Sequence, residues 1–173
     1  MSDTYEVYAI KYGTVQDRPR HTNFITAPDP HEGLMPIDYF VWVIKNKDRT
    51  IVVDTGFDHS EADARGRQVE RLPAEGLAMV GVDASKVENV VITHMHYDHA
   101  GTCGAFPNAT FHLQEREMQY VTGKRMTQDP FCHAYTCGHV QEMVGYVFDK
   151  RVQFHDGDEE IAPGVSVHLI LSL

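Results

Sequence analysis

The sequence predicts a single domain, spanning residues 1–173, of the α/β class, in which strands and helices pack in layers. Three observations support this prediction. Short runs rich in Val, Ile and aromatic residues recur along the chain, two of them are close enough to form a hairpin, and segments with helix start and stop signals lie between others. The length is sufficient for one domain with its own core. A layered α+β arrangement of the same elements remains open.

The first half of the chain is predicted to form three strands and two helices. Residues 40–44 and 50–53 flank the turn residues Asn46-Lys47-Asp48 and predict a β-hairpin. The Pro- and Gly-containing stretch 22–38 predicts a long loop. The other predicted elements are a strand over residues 4–11, a helix over 59–72, and a helix over 73–80 that begins with its proline and ends before Gly81.

The second half alternates in a similar way. An apolar run at 90–92 predicts a buried strand, and residues 109–113 predict another. The helix predicted over 114–121 begins with a charged segment, 114–118, which we interpret as a solvated face. Residues 122–137 are weakly patterned and predict a loop. The remaining predicted elements are a short helix over 139–146, a short strand over 151–154 and a final strand from residue 165 onward.

Composition narrows the range of partners and compartments. The formal net charge is −10, which disfavours a nucleic acid or an anionic membrane surface as the partner. Residues 1–6 do not resemble a signal peptide, and no apolar run is long enough to span a membrane. We therefore predict a cytoplasmic protein without membrane contact. Cys103, Cys132 and Cys137 are not expected to form structural disulfides.

The most informative segment is His94-Met95-His96-Tyr97-Asp98-His99, directly after the predicted strand at 90–92. Four potential metal ligands fall within six residues. In an extended segment, alternation turns His94, His96 and Asp98 to the same side, and a turn afterwards brings His99 to them. Imidazole and carboxylate groups suit Zn²⁺ and its first-row neighbours. A lone histidine is usually a polar loop residue, but four ligand-type side chains behind a buried strand predict a metal centre.

Two further groups of residues bear on metal binding. Asp54, in the turn Asp54-Thr55-Gly56, is either a residue that caps the preceding strand or a carboxylate that orients a ligand histidine through its ring N–H, and we favour the second interpretation. Cys132-His133 with Cys137 and His139 matches no common zinc spacing, so we interpret these as loop residues near a substrate pocket.

These motifs resemble those of a known family. His94-x-His96-x-Asp98-His99 resembles the signature of the metallo-β-lactamase superfamily, and Asp54-Thr55-Gly56-Phe57 resembles the family's upstream turn behind the metal site. Residues 39–44, 93–101 and 111–114 together resemble the N-acyl homoserine lactonase branch. The similarity extends over residues 4–170, with the specific motifs between Asp54 and Gly101.

The resemblance implies an αβ/βα sandwich, two zinc ions (or other divalent first-row metals) and hydrolysis of a lactone or ester. His94 and His96 match ligands of the first metal, and Asp98 and His99 match ligands of the second. A metal-bridging hydroxide is the nucleophile in that family, and one zinc polarises the lactone carbonyl. The aspartate at the position of Asp98 is a candidate for the catalytic proton transfer to the leaving alkoxide.

The same resemblance implies ligands that this sequence does not match. The family takes a third histidine for the first metal from a Gly-His segment after the strand that matches residues 165–170, where this sequence reads Leu171-Ser172-Leu173. A bridging aspartate and a further histidine have no match either. His168 is interpreted as an exposed or satisfied strand histidine. We therefore expect that the C-terminal part of the domain is missing, that the second half of the sandwich is incomplete, and that two copies could pair as a homodimer.

Three functions remain open. The first is a metal-dependent hydrolase that opens homoserine lactones or related small-molecule lactones, with the apolar residues around 34–40 as a substrate wall. The second is a thioesterase of the glyoxalase II kind, because the motif is shared across these reactions. The third is a catalytically inactive, truncated remnant. No serine-nucleophile elbow or phosphate-binding glycine loop competes with the metal motif.

Overall fold

The computed structural model describes residues 4–24, 26, 29, 31 and 33–170. Its strands are β1 (Glu6–Val15), β2 (Ile37–Lys45), β3 (Thr50–Val53), β4 (Gln68–Val69), β5 (Asn89–Val91), β6 (Thr110–Gln114), β7 (Val152–His155), β8 (Glu159–Ala162) and β9 (Val165–Val167). Its α-helices are α1 (His59–Arg65), α2 (Pro73–Met79), α3 (Tyr97–Ala100), α4 (Glu115–Val121), α5 (Asp129–Cys132) and α6 (Cys137–Phe148). Short 3-10 turns occupy Arg20–Asn23, Ala84–Lys86, Cys103–Ala105 and Lys124–Thr127.

Seven strands form one mixed sheet in the order β4-β1-β2-β3-β5-β6-β7. The pairs β1–β4, β1–β2 and β2–β3 are antiparallel, and β3, β5, β6 and β7 run parallel. The parallel connections contain helices, as crossovers of this kind require. β8 and β9 form a separate antiparallel hairpin. The predicted α/β class and the predicted β2–β3 hairpin are confirmed.

Two of the predicted elements are wrong in part, and one strand was not predicted. The helix predicted over residues 59–72 ends early, because Gly66 adopts a left-handed φ of 63° at the C-cap of α1, and residues 68–69 pair with β1 instead. The loop predicted over 122–137 contains α5, where Pro130 occupies the first turn. The sequence analysis missed β8, since a strand that starts with two glutamates has low β-propensity.

The two faces of the seven-stranded sheet differ in burial. One face packs against the helices and carries the core, whose largest fully buried side chains include Tyr12, Phe57, Leu77, Phe106 and Phe111. The alternate side chains of the same strands, such as Trp42 and His112, lie on the opposite face. One part of this face borders a cavity beneath the β8–β9 hairpin. In the described part of the chain, no helix combines the length and the apolar character that crossing a bilayer demands.

A substitution at Gly56 tests how tightly the turn after β3 is packed. Its φ is 71°, and a Cβ placed there would lie 2.7 Å from Cγ of Pro73 and 2.8 Å from Cζ of Tyr12. We expect Gly56→Ala to lower the free energy of unfolding by about 3 kcal/mol, because backbone strain and overpacking act together. Gly66→Ala is the matched control, since its φ is 63° but no atom lies within 4 Å. Urea unfolding that shows equal losses for the two variants would mean that the turn absorbs the added methyl group.

Candidate metal centre

The predicted metal motif lies at the carboxyl ends of two neighbouring parallel strands. β3 leads into Asp54, and β5 leads into the segment that contains His94 and His96. Ligand sites in open α/β sheets gather at this edge. The motif is extended as far as His96, which is the N-cap residue of α3. The predicted alternation therefore stops there, and Asp98 and His99 reach the site from a helix.

The structure brings the three histidine rings of the motif together. The ring centroids of His94 and His96 lie 4.3 Å apart, and those of His94 and His99 lie 3.9 Å apart. Oδ2 of Asp98 lies 3.5 Å from Nε2 of His99. All four side chains are partly buried. The motif is thus a compact cluster of three imidazoles and one carboxylate.

Asp54 is buried behind this cluster and accepts hydrogen bonds from His99, a member of the cluster, and from Thr93, which directly precedes it. Thr93 donates from its backbone N to Oδ1 (2.8 Å) and from Oγ1 to the carboxylate (2.9 Å), and Nδ1 of His99 donates to Oδ2 (2.7 Å). The φ of Asp54 is 62°, a left-handed conformation that aspartate tolerates better than most residues. A carboxylate in this position keeps a proton on Nδ1 of His99 and directs Nε2 towards Asp98.

Burial and mutual repulsion keep two of the imidazoles neutral. Burial, together with the neighbouring His99 and His96, lowers the pKa of His94 to about 4. Burial is also the main cause that lowers the pKa of His96 below its usual value. Neutral imidazoles have a free lone pair at pH 7, which is the form that binds a metal ion.

The other two members of the cluster are charged. Burial opposes the charge on His99, but hydrogen bonds to Asp54 and Asp98 raise its pKa to about 9. Burial likewise opposes the charge on Asp98, but the hydrogen bond from His99 holds the pKa of this carboxyl below its usual value. The pair therefore combines a carboxylate with an imidazole whose proton a metal ion would replace.

A layer of aromatic side chains supports the helix that carries Asp98 and His99. The hydroxyl of Tyr12 donates to the backbone oxygen of Asp98 (2.8 Å), and the hydroxyls of Tyr39 and Tyr97 are hydrogen-bonded at 3.1 Å. The guanidinium carbon of Arg65 lies 4.0 Å from the ring centroid of Tyr97. Because these groups are packed in the core, they fix the position of α3 relative to the sheet.

A cavity of about 810 Å³ opens beside His94 and His96. Its walls come from one face of the seven-stranded sheet, from α4, from the segment around α5 and from the β8–β9 hairpin. The lining side chains that are suited to contact a substrate are Tyr120, Arg125, Phe131, Tyr135, Ile161 and Val165. Residues 34–40, which we predicted as that wall, do not line this cavity. Tyr39 is a core residue, and Leu34 and Phe40 are exposed elsewhere.

Sequence analysis missed two side chains that touch the motif. Oε1 of Glu117 accepts a hydrogen bond from the backbone N of Met95 (2.8 Å), so the interpretation of residues 114–118 as a solvated face is wrong for this residue. The ring of Tyr135 meets the ring of His96 edge to face, with centroids 4.6 Å apart. In the sequence, the only sign that Glu117 turns inward is its helical spacing from the end of β6.

A second polar cluster lies further along the cavity wall. The buried imidazoles of His112 and His155 are joined by a hydrogen bond between Nδ1 and Nε2 (3.0 Å). Nε2 of His112 also lies 3.0 Å from Oδ1 of Asn89, and Nδ1 of His155 lies 2.6 Å from Oε2 of Glu159. These bonds use all four ring nitrogens, so the pair is satisfied within the protein. His168 lies past the end of β9, is exposed, and pairs with Asp158.

The donor set of the motif fits a first-row divalent ion in its chemistry. It offers two neutral imidazoles, one ionised carboxylate and one histidine oriented by a buried carboxylate. As the side chains stand, however, the histidine rings lie against one another. Among the described residues, no three or more His, Cys, Asp or Glu side chains surround a common point closely enough to hold a metal ion. The same finding covers Cys132, His133, Cys137 and His139.

The three cysteines are free thiols that differ in reactivity. Cys103 is buried, and burial raises the pKa of its thiol to about 12, whereas Cys132 is partly exposed and Cys137 is exposed. We expect a disulfide reagent such as 5,5′-dithiobis(2-nitrobenzoate) to modify Cys137 and Cys132 in the folded protein at pH 8, and Cys103 only after denaturation, because the thiolate is the reactive form. Rapid modification of all three thiols in the folded protein would contradict the packing around Cys103.

The sequence profile of the Metallo-beta-lactamase superfamily matches residues 35–170. The chain belongs to this superfamily. Several of the proteins that it resembles are N-acyl homoserine lactonases. It is 49% identical over 42 residues to the N-acyl homoserine lactonase AttM of Azorhizobium caulinodans, which covers 24% of this chain and 16% of AttM.

Two longer matches agree with the family. The chain is 21% identical over 161 residues to the N-acyl homoserine lactonase AiiA of Bacillus thuringiensis subsp. kurstaki, covering 85% of this chain and 58% of AiiA. It superimposes with a TM-score of 0.66 on the solved structure of AidC, a dizinc quorum-quenching lactonase in complex with a product, N-hexanoyl-L-homoserine, at 15% identity over 93% of this chain and 61% of AidC. The chain thus spans less than two thirds of the length of each relative. The predicted metallo-β-lactamase fold is confirmed.

Proposed function

We propose that this chain forms the zinc-binding part of a hydrolase that opens the lactone ring of N-acyl homoserine lactones. The observation that carries the proposal is the cluster of His94, His96, Asp98 and His99, with Asp54 bonded to Nδ1 of His99. The names of the relatives support the substrate class, and the dizinc state of AidC supports zinc as the metal. Cytoplasmic location and pairing as a homodimer remain predictions.

Each residue of the cluster has a proposed role. His94 and His96 would hold a first ion through their neutral imidazoles, and Asp98 and His99 would hold a second. Asp54 keeps the tautomer of His99 that presents Nε2 to a metal. When bound, the ions would supply ionised water as the nucleophile and polarise the lactone carbonyl. Asp98, which is ionised, would accept the proton of the added hydroxide as the carboxylate product forms, and would pass it to the alkoxide that leaves as the ring opens.

The cavity beside the cluster suits an acyl chain. Phe131, Tyr135, Ile161 and Val165 supply apolar surface, and the cavity lies next to His94. Small-molecule sites commonly combine an apolar wall with a few polar groups that fix the reacting end. An amide-linked acyl tail would lie along this wall while the lactone ring approaches the histidines.

Zinc content and substrate hydrolysis test the proposal together. The purified 173-residue chain is dialysed against buffer without chelator, and bound zinc is measured by elemental analysis. Hydrolysis of N-hexanoyl homoserine lactone is followed by proton release with a pH indicator, and S-lactoylglutathione serves as the thioester comparison. The proposed function requires tight zinc binding and faster opening of the lactone than of the thioester.

Other outcomes point to the alternatives. Zinc binding with a preference for the thioester would place the chain among the glyoxalase II-like hydrolases. Zinc well below one ion per chain and no turnover of either substrate would make the 173-residue chain an inactive remnant. Addition of EDTA should abolish any turnover, because each proposed step depends on the bound ions.

A further inference from the structure

The backbone of the metal motif is held by acceptors that come from three different parts of the fold. The last ladder bond of β5 runs from N of Ile92 to O of His112 (2.9 Å). Beyond this bond, the backbone amides of alternate residues from Thr93 onward donate to acceptors outside the motif. Thr93 donates to Oδ1 of Asp54 (2.8 Å), Met95 to Oε1 of Glu117 (2.8 Å) and Tyr97 to O of Ala134 (2.9 Å).

These acceptors take over where the neighbouring strands β3 and β6 no longer pair with the segment. Buried amides beyond the last ladder bonds need other acceptors. Two of the three acceptors are carboxylates of side chains, which form stronger hydrogen bonds to N–H groups than neutral oxygens do. Asp54 acts at the start of the segment, and Glu117 acts at its centre, between the two histidines of the first predicted metal position.

Glu117 also reaches the motif by a second route. Its carboxylate interacts electrostatically with the side chain of Tyr135, and the ring of Tyr135 meets the ring of His96 edge to face with centroids 4.6 Å apart. Glu117 follows β6 in the first turn of α4, is partly buried, and lines the cavity together with His94 and His96. One carboxylate therefore contacts both the peptide between the histidines and the residue that packs on one of their rings.

We propose that Glu117 is a positioning residue for His94 and His96, through the hydrogen bond to Met95 and through Tyr135. The inference rests on the proposed metal-binding function, and it deepens that function by assigning a residue to the first metal position. The hydrogen-bonding oxygen of Glu117 is what matters for this role. The reach of this oxygen decides whether the bond to Met95 forms, and the negative charge strengthens the bond once it has formed.

Two substitutions separate the oxygen from the charge. Glu117→Gln keeps an acceptor oxygen at the same reach and removes the charge. Glu117→Asp keeps the charge and shortens the side chain by one methylene, about 1.5 Å, which breaks a 2.8 Å hydrogen bond. Glu115→Gln and Glu115→Asp are the matched controls, because Glu115 is an exposed carboxylate on the same helix whose Oε1 accepts only from Gln119 at 3.1 Å.

Two measurements are made on each variant of the full chain. The first is the hydrogen-exchange rate of the Met95 amide in the metal-free protein, followed by NMR. The second is the affinity for Zn²⁺ alone, measured by competition with a chromophoric chelator. Glu117→Asp is expected to speed exchange of Met95 roughly tenfold and to weaken zinc binding about 10- to 100-fold, as loss of an outer hydrogen bond commonly does. Glu117→Gln should stay within about fivefold of the original chain, because it keeps the acceptor oxygen and loses only the charge, and both Glu115 variants should remain within about twofold.

The results separate failure of this inference from failure of the proposed function. Glu117→Gln impaired as strongly as Glu117→Asp would overturn the positioning role, as would Glu117→Asp with unchanged Met95 exchange. If the original chain binds no zinc, the proposed function fails, and the exchange rate of Met95 still decides whether Glu117 holds this segment. If Glu117→Asp unfolds, Met95 exchange and zinc affinity within about fivefold of the original chain in Glu117→Gln still support the role of the oxygen, and larger losses overturn it.

Discussion

Asp54→Ala is expected to destabilise the protein by about 3–5 kcal/mol, because one substitution leaves several buried partners of a carboxylate without an acceptor. The backbone N and Oγ1 of Thr93 and Nδ1 of His99 all donate to Asp54, whose side chain is almost fully buried. Alanine is also less favourable than aspartate at a φ of 62°. Urea unfolding of the metal-free protein measures this loss directly.

Asp54→Asn separates the structural role of this residue from its effect on metal binding. Asparagine accepts the left-handed φ and presents an oxygen to the amide of Thr93, so we expect a loss of only about 1–2 kcal/mol. Its amide NH₂ faces Nδ1 of His99, which must then accept a hydrogen bond. His99 therefore carries its proton on Nε2, the nitrogen proposed to bind the second ion. Zinc affinity should fall about 10- to 100-fold.

Asp58→Ala is the matched control for both Asp54 variants. Asp58 lies four residues further on and is exposed, and its side chain accepts a hydrogen bond only from N of Glu61 (2.9 Å) as the N-cap of α1. Its replacement should cost about 1 kcal/mol and leave zinc affinity unchanged. If Asp54→Asn bound zinc as tightly as the original chain, Asp54 would be a turn residue that caps β3, the interpretation that sequence analysis left as second choice.

The sequence was sufficient for the centre of this site and insufficient for its surroundings. His94, His96, Asp98 and His99 lie within six residues, so local geometry alone brings them near one another. Asp54 was within reach of sequence analysis because a turn at the end of a strand marks the edge of a parallel sheet. The alternation rule still failed after His96, since the start of α3 changes the direction of the later side chains.

The surroundings depend on contacts between residues far apart in the chain. Glu117 is 22 residues from Met95, and a charged helix start indicates a solvated face unless the neighbouring strand order is known. Leu34 and Phe40 are exposed away from the cavity for the same reason, because the order of the strands determines where this apolar loop lies. The order of the strands in the sheet determines the positions of Glu117 and of the loop around Leu34, and the hydrophobic periodicity of the sequence does not reveal that order.

His96→Ala should change stability little and weaken zinc binding strongly, whereas the main effect of Asp54→Ala should be a loss of stability. The imidazole of His96 is partly buried and uncharged, and burial has already lowered its pKa. In the metal-free protein its removal ends the contact with Tyr135 but also ends the crowding with His94, so we expect the free energy of unfolding to change by less than about 1 kcal/mol. Zinc affinity should fall roughly 100-fold or more, beyond the 10- to 100-fold typical for outer partners.

His133→Ala is the control, because His133 is an exposed histidine of the neighbouring segment whose backbone oxygen, rather than its ring, accepts from Arg65. It should leave both stability and zinc affinity near those of the original chain. A loss of stability in His96→Ala as large as in Asp54→Ala would identify His96 as a packing residue. The expected contrast has a physical reason. Asp54 lowers the free energy of the fold with or without a metal, whereas clustered neutral imidazoles oppose folding until an ion binds them.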